Sequence, residues 1–119
     1  MFDKVNLDEA FERFDESWKP KIVGELDGSY VKVVKFKGAF VWHRHEQEDE
    51  LFLVVRGGFT LRLRDRDIPL RAGELVIVPR GVEHMPVAQE EAHVLLIERK
   101  STVNTGDARD ARTTSPEWI

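Results

Sequence analysis

Gly38-Ala39-Phe40-Val41-Trp42-His43-Arg44-His45-Glu46-Gln47-Glu48-Asp49-Glu50 is the stretch that decides both the fold of this chain and the chemistry it can carry. His43 and His45 are two residues apart, so on an extended chain both imidazoles project from one face. Glu50 follows the polar run Glu46-Gln47-Glu48-Asp49 and opens the next β-rich segment, so a hairpin returns its carboxylate beside the two histidines. Six residues separate Glu50 from Gly57, a residue suited to the positive φ of a tight turn. Much later, Pro79-Arg80-Gly81 makes a corner that delivers His84 to the same place from a neighbouring strand. Three imidazoles and one carboxylate form a hard-to-borderline ligand set that suits Mn, Fe(II), Co, Ni, Cu or Zn. In a six-coordinate ion, about two positions stay open for water or a ligand, which separates a working site from a sealed structural one.

Outward from this stretch, the chain reads as short strands between turn signals. Ile22–Leu26, Tyr30–Phe36, Ala39–His45, Leu51–Arg56, Phe59–Arg64, Leu75–Val78 and Ala92–Arg99 are the expected strands, with Asp27-Gly28 and Gly57-Gly58 as hairpin turns. Phe59, Leu61 and Leu63 alternate with Thr60, Arg62 and Arg64, the pattern of a half-buried strand. No helical segments alternate with these strands, which argues against a parallel βαβ sheet and for a sandwich or barrel. Upstream, Leu7, Ala10, Phe11, Phe14 and Trp18 recur at helical spacing, Asn6 and Glu9 resemble a capping pair, and Pro20 ends the segment. Downstream of Lys100, hydrophobic periodicity disappears. The expected organisation is an N-terminal helical segment over residues 1–20, a barrel over 21–100 and an irregular tail over 101–119, with Trp118 and Ile119 docked on this chain or a neighbouring one.

Composition narrows the function. The chain has 119 residues, 41% hydrophobic and 34% charged, the profile of one globular domain. A net charge of −4 provides no global field for nucleic acid or an anionic membrane. The absence of cysteine excludes disulfides, thiolate nucleophiles and iron–sulfur clusters. The runs Leu51–Val55 and Val94–Ile97 fall far short of the roughly 20 apolar residues that span a bilayer. Met-Phe-Asp-Lys-Val-Asn lacks the basic and apolar regions of a signal peptide, so a soluble, cytoplasmic protein is expected. His93 belongs to neither motif and reads as a partly buried strand histidine. Trp42 is expected to point away from the histidine face, Arg62, Arg64 and Arg66 to form a charge-paired solvated face with Asp65 and Asp67, and Glu46–Asp49 to form a solvated hairpin tip.

The two motifs together resemble those of the cupin family. The first is His-x-His, four residues, Glu50, six residues, Gly57; the second is Gly73, five residues, Pro79-Arg80-Gly81, two residues, His84. Gly38 lies one residue closer to His43 than is usual in the family, and Ala88 stands where it often has Asn. The resemblance covers residues 22–99. It implies an all-β antiparallel jelly-roll barrel with a short N-terminal helix, usually a homodimer, with His43, His45, Glu50 and His84 as ligands to a divalent transition metal (Fe, Mn, Ni, Zn or Cu). The function it implies is isomerase- or dioxygenase-type chemistry on a small polar organic molecule; the alternative is a non-catalytic module that binds or senses a small molecule or the metal. Phe52 and Val54 share the face of Glu50, so the wall beside the site reads as apolar and offers no acid or base.

Overall fold

The computed structural model describes residues 2–119. A five-residue helix, α1 (Leu7–Phe11), is capped by Asn6, whose side chain accepts a 3.0 Å hydrogen bond from the Glu9 N–H. The described strands are β1 (Lys21–Leu26), β2 (Ser29–Ala39), β3 (Glu50–Arg56), β4 (Gly58–Leu63), β5 (Asp67–Arg71), β6 (Leu75–Val78), β7 (His84–Arg99) and β8 (Glu117–Trp118). They build the antiparallel jelly-roll barrel that the two motifs imply, with β1 and β8 as the one parallel pair among the described strands.

The 16-residue β7 is the spine. One edge pairs with β2 along nearly its whole length. The other edge pairs first with β4, through His84–Val87, and then with β3, through His93–Glu98. A bulge near Gly38, at φ +79°, bends β2 so that it serves both halves. The barrel closes around Phe36, Phe52 and Phe59, whose rings pack 5.0–6.2 Å apart, together with Val34, Leu61, Val94 and Leu96. Each such side chain contributes roughly 1.5–3 kcal/mol of burial. Gly57 sits at φ +77°, where a Cβ would lie 3.0 Å from the Glu91 carbonyl oxygen, so the turn after β3 requires glycine twice over.

Three expectations change. The helical stripe does not continue to Trp18. The Trp18 N–H, which a helix would give to the Phe14 carbonyl, donates instead to Lys35 O at 2.8 Å, and Lys35 Nζ takes the Phe14 carbonyl. Trp18 turns over at φ +65° and stacks on Phe36 and Phe40 at 4.5 and 4.7 Å. Ala39–His45 is not a strand. β2 ends at Ala39, an isolated bridge joins His43 to His84, and the Val41 carbonyl meets the His43 ring instead of a facing strand. β5 is absent from the expected strands; among the described strands it pairs only with β4, and although it contains Pro69 an edge strand tolerates a missing N–H.

The tail is laid over the barrel, with Thr102 and Thr105 buried. β8 adds to β1, Ile119 packs against the cluster of Ala10, Phe11, Phe14 and Val33, and Trp118 meets Tyr30 edge-on while staying half exposed.

Candidate metal centre

Each member of the His43, His45, Glu50 and His84 set is delivered by a separate local device. Glu50 is the first residue of β3 and His84 the first of β7, so the barrel ladder fixes both backbones. His43 is tied to His84 by paired backbone hydrogen bonds of 3.0 and 2.9 Å. The His45 carbonyl accepts from Gly81 N–H at 2.8 Å, joining the first motif to the corner of the second. Asp49 strengthens the same junction by accepting from the Arg80 N–H at 2.9 Å. The acidic run is therefore a solvated tip that also clamps the two motifs together.

All four side chains are buried, and their ligand-capable atoms lie within 4.8 Å of one another. His43 Nδ1 lies 2.9 Å from the Val41 carbonyl and His84 Nδ1 2.9 Å from the Val82 carbonyl. A carbonyl only accepts, so in each ring Nδ1 carries the hydrogen and Nε2 presents a lone pair. Glu50 Oε1 lies 3.2 Å from His45 Nε2 and 3.4 Å from His84 Nε2, yet none of these three buried atoms has an aligned hydrogen-bond partner. Buried polar atoms gathered without aligned partners are costly, and a cation at their centre removes that cost. The cluster fits a divalent metal ion.

Charge is arranged to the same end. Burial, and then the neighbouring His84, push His43 down to about 4, keeping it neutral. Burial alone would lower His45 as well, but the Glu50 carboxylate outweighs it and holds that ring above its ordinary value. Burial opposes ionisation of Glu50, yet contacts with Glu98, His45 and His84 hold its carboxyl well below the usual range.

Glu98 was not singled out by either motif. It stands directly opposite Glu50 in the β3–β7 ladder, is buried, and lines the same cavity as Glu50 and His43. Burial and then the Glu50 charge hold the Glu98 carboxyl well above the usual range. Lys32, also buried, places Nζ 3.0 Å from Glu98 Oε1. The apolar wall expected from Phe52 and Val54 is real on β3, but β7 adds a carboxyl group to it. Strand alternation carried a signal for both residues: Lys32 is in phase with Val34 and Phe36, and Glu98 with Val94 and Leu96.

The cavity is about 30 Å³, room for one or two water-sized groups, with Trp18, Phe36, Phe40 and Phe52 as its aromatic wall. The tail borders the site. Asp107 accepts from the Arg44 N–H at 2.8 Å and returns its own N–H to the Arg44 carbonyl at 3.1 Å. Gly106, at φ +54°, sits so close that a Cβ would collide with the Arg44 carbonyl and press on the His43 ring. Outside the cluster, His93 stacks on Phe11 at 4.4 Å and Trp42 carries the Arg64 guanidinium at 3.7 Å. Arg62 pairs with Asp67 as expected, whereas Arg64 pairs with Glu83 from outside the expected set.

Residues 31–98 match the Cupin domain family. A solved cupin-2 domain protein from Shewanella frigidimarina is 40% identical, covering 80% of this chain and 93% of that one with a TM-score of 0.79. Protein NMB1881 from Neisseria meningitidis is 28% identical, covering 82% of this chain and 99% of that one at 0.75. Among curated proteins, a 3-hydroxyanthranilate 3,4-dioxygenase from Xanthomonas euvesicatoria is 30% identical over 114 residues, 90% of this chain. The chain spans only 65% of that enzyme's length.

Proposed function

The chain belongs to the cupin family, and on that footing we propose that His43, His45, Glu50 and His84 hold one divalent transition metal at which a small, chelating organic molecule is bound and oxidised by dioxygen. The observation that carries this reading is the convergence of buried, partnerless Nε2 and Oε1 atoms, with two of the rings fixed by backbone carbonyls. A bound metal of this type supplies Lewis acidity and, as Fe(II), a site for oxygen. The chain's own residues orient the imidazoles, keep His43 neutral, and line the approach with aromatic rings that exclude water and pack against an apolar ring or chain. The dioxygenase direction rests on the similarity to 3-hydroxyanthranilate 3,4-dioxygenases.

Elemental analysis of untagged protein tests the first step, with about one metal per chain expected; a chain that stays empty after incubation with Fe(II), Mn, Ni, Cu and Zn ends the metal reading. Oxygen uptake by the Fe(II)-loaded protein with 3-hydroxyanthranilate as first probe tests the second step. The size of the cavity favours a second reading, a metal- or small-molecule-binding module without turnover, because about 30 Å³ does not admit an aromatic ring unless the wall moves. Ligand binding without oxygen uptake would select that reading.

We further propose that two copies associate through the outer sheet face. There Val31, Ile97, Leu51 and Ile77 form one cross-strand row and Leu95, Leu53 and Leu75 the next, while Val33 at the end of that second row is covered by the N-terminal segment. Leu75 and Ile77 are more than half exposed on β6, whose only strand partner among the described residues is β3. Sedimentation of the parent and of an Ile77→Glu variant tests this, with a dimer expected for the first only. No helix among the described residues is long and apolar enough to cross a membrane, and the cytoplasmic setting expected from the sequence remains part of the proposal, to be checked by fractionation.

A further inference from the structure

β3 and β7 pair so that Glu50 and Glu98 face each other across the ladder, both turned into the barrel and both buried. Two carboxyl groups directly opposite one another on a sheet repel if both ionise, and nothing in a four-ligand site calls for the second carboxyl. The chain nevertheless places Lys32 on the next strand with Nζ 3.0 Å from Glu98 Oε1, another buried charge. Each of these three groups that is ionised costs several kcal/mol to bury unless its neighbours satisfy it. The arrangement runs in one direction: Lys32 holds Glu98 by Oε1, Glu98 stands opposite Glu50 in the ladder, and Glu50 Oε1 faces His45 and His84. Glu98 Oε2 has no hydrogen-bond partner, and the residue directly opposite Glu98 in the β3–β7 ladder is Glu50. A glutamate side chain has three rotatable bonds, and its carboxyl swings freely unless both of its ends are defined.

We propose that Lys32 and Glu98 are a positioning pair that fixes the Glu50 carboxyl so that Oε1 points at the histidine cluster, and thereby set the affinity and geometry of metal binding. This inference rests on the metal-centre reading above, and it concerns the orientation of a ligand rather than a group that touches substrate.

The test uses the full chain with Co(II), which reports affinity by competition with a chromophoric chelator and coordination geometry by its visible absorption. Removing one partner alone leaves an uncompensated buried charge and invites unfolding. The decisive variant is therefore the double replacement Lys32→Met with Glu98→Leu, since replacing a whole buried pair by apolar groups of like volume commonly preserves stability. The double variant is expected to melt close to the parent, to bind Co(II) about 10- to 100-fold more weakly, and to show a shifted spectrum. Glu98→Gln keeps the length of the side chain, can donate to Glu50 and can accept from Lys32. It is expected to retain affinity within about threefold and the parent spectrum. A folded double variant with parental affinity and spectrum overturns the proposal. So does a Glu98→Gln protein that is folded but has lost tenfold or more, and this holds whether or not the double variant folds. An unmodified chain that takes up no Co(II) overturns the metal centre itself, an outcome distinct from either variant result.

Discussion

β7 carries two histidines that the barrel treats in opposite ways. His84, at the start of the strand, faces inward; its Nδ1 is held by the Val82 carbonyl and its Nε2 is left without a partner among other lone pairs. His93, in the second half, faces outward; its ring is stacked on Phe11 and its Nε2 lies 3.0 Å from Glu91. Both are shielded from water to some degree, so burial does not separate them. What separates them is whether the ring is orientated by one nitrogen while the other is left to converge with other acceptors. His84 is built to meet a cation, whereas His93 is an aromatic plate that seats the N-terminal helix.

The sharpest way to break this contrast is to remove a ring from each side. His45→Ala or His84→Ala is expected to abolish metal retention through gel filtration, a loss of at least 100-fold in affinity for a site left with three ligands. Unchanged stoichiometry would remove these residues from the site.

Acid should act next most strongly. The proton held on His45 by Glu50 must leave before a metal binds, so apparent affinity is expected to rise with pH up to His45's raised value and then level off. His43, pushed down to about 4, competes only in stronger acid. Chelator competition between about pH 5 and 8 reads this directly. In the metal-free protein the sign for His45 is the reverse. Its pairing contributes stability that is fully present below the ordinary histidine value and is lost as the pH rises through the raised one. Glu50, held low, contributes stability that is present above the ordinary carboxylate value and lost as the pH falls through the lowered one.

Gly106→Ala tests whether the tail supports the histidine loop. The added Cβ meets the Arg44 carbonyl, so a loss of about 1–3 kcal/mol is expected, with faster amide exchange at Arg44 and Asp107. Parental exchange at both amides would show that the tail merely lies nearby. The smallest effect belongs to His93→Ala. Metal content should not change, while loss of the Phe11 stack lowers stability by about 1 kcal/mol, read by thermal or denaturant unfolding. Loss of metal in this variant would mean that burial, rather than orientation, selects the binding histidines.

Much of this molecule is local in origin, and what is local is legible in the sequence. The spacing of His43, His45, Glu50 and Gly57, and of Gly73, Pro79, Gly81 and His84, encodes turns and a ligand arrangement within short pieces of chain. Gly57, Gly73 and Gly81 do take up positive φ, as their turns require. Alternation predicts which side chains of β3 and β4 turn inward. Other features depend on partners far along the chain. The N-terminal stripe has helical spacing, but the helix stops at Phe11, and beyond it Lys35 Nζ donates to the Phe14 carbonyl while the Lys35 carbonyl accepts from the Trp18 N–H. Lys32, Glu50 and Glu98 come together only because β7 pairs with β2 on one edge and β3 on the other. Residues 101–119 have no periodicity, yet Asp107 and Gly106 fit against Arg44 closely enough to border the site. Spacing along the chain fixes torsions and faces, because these depend on neighbours in sequence. Which charged side chain meets which across the barrel depends on strand order and register, and only the tertiary structure decides those.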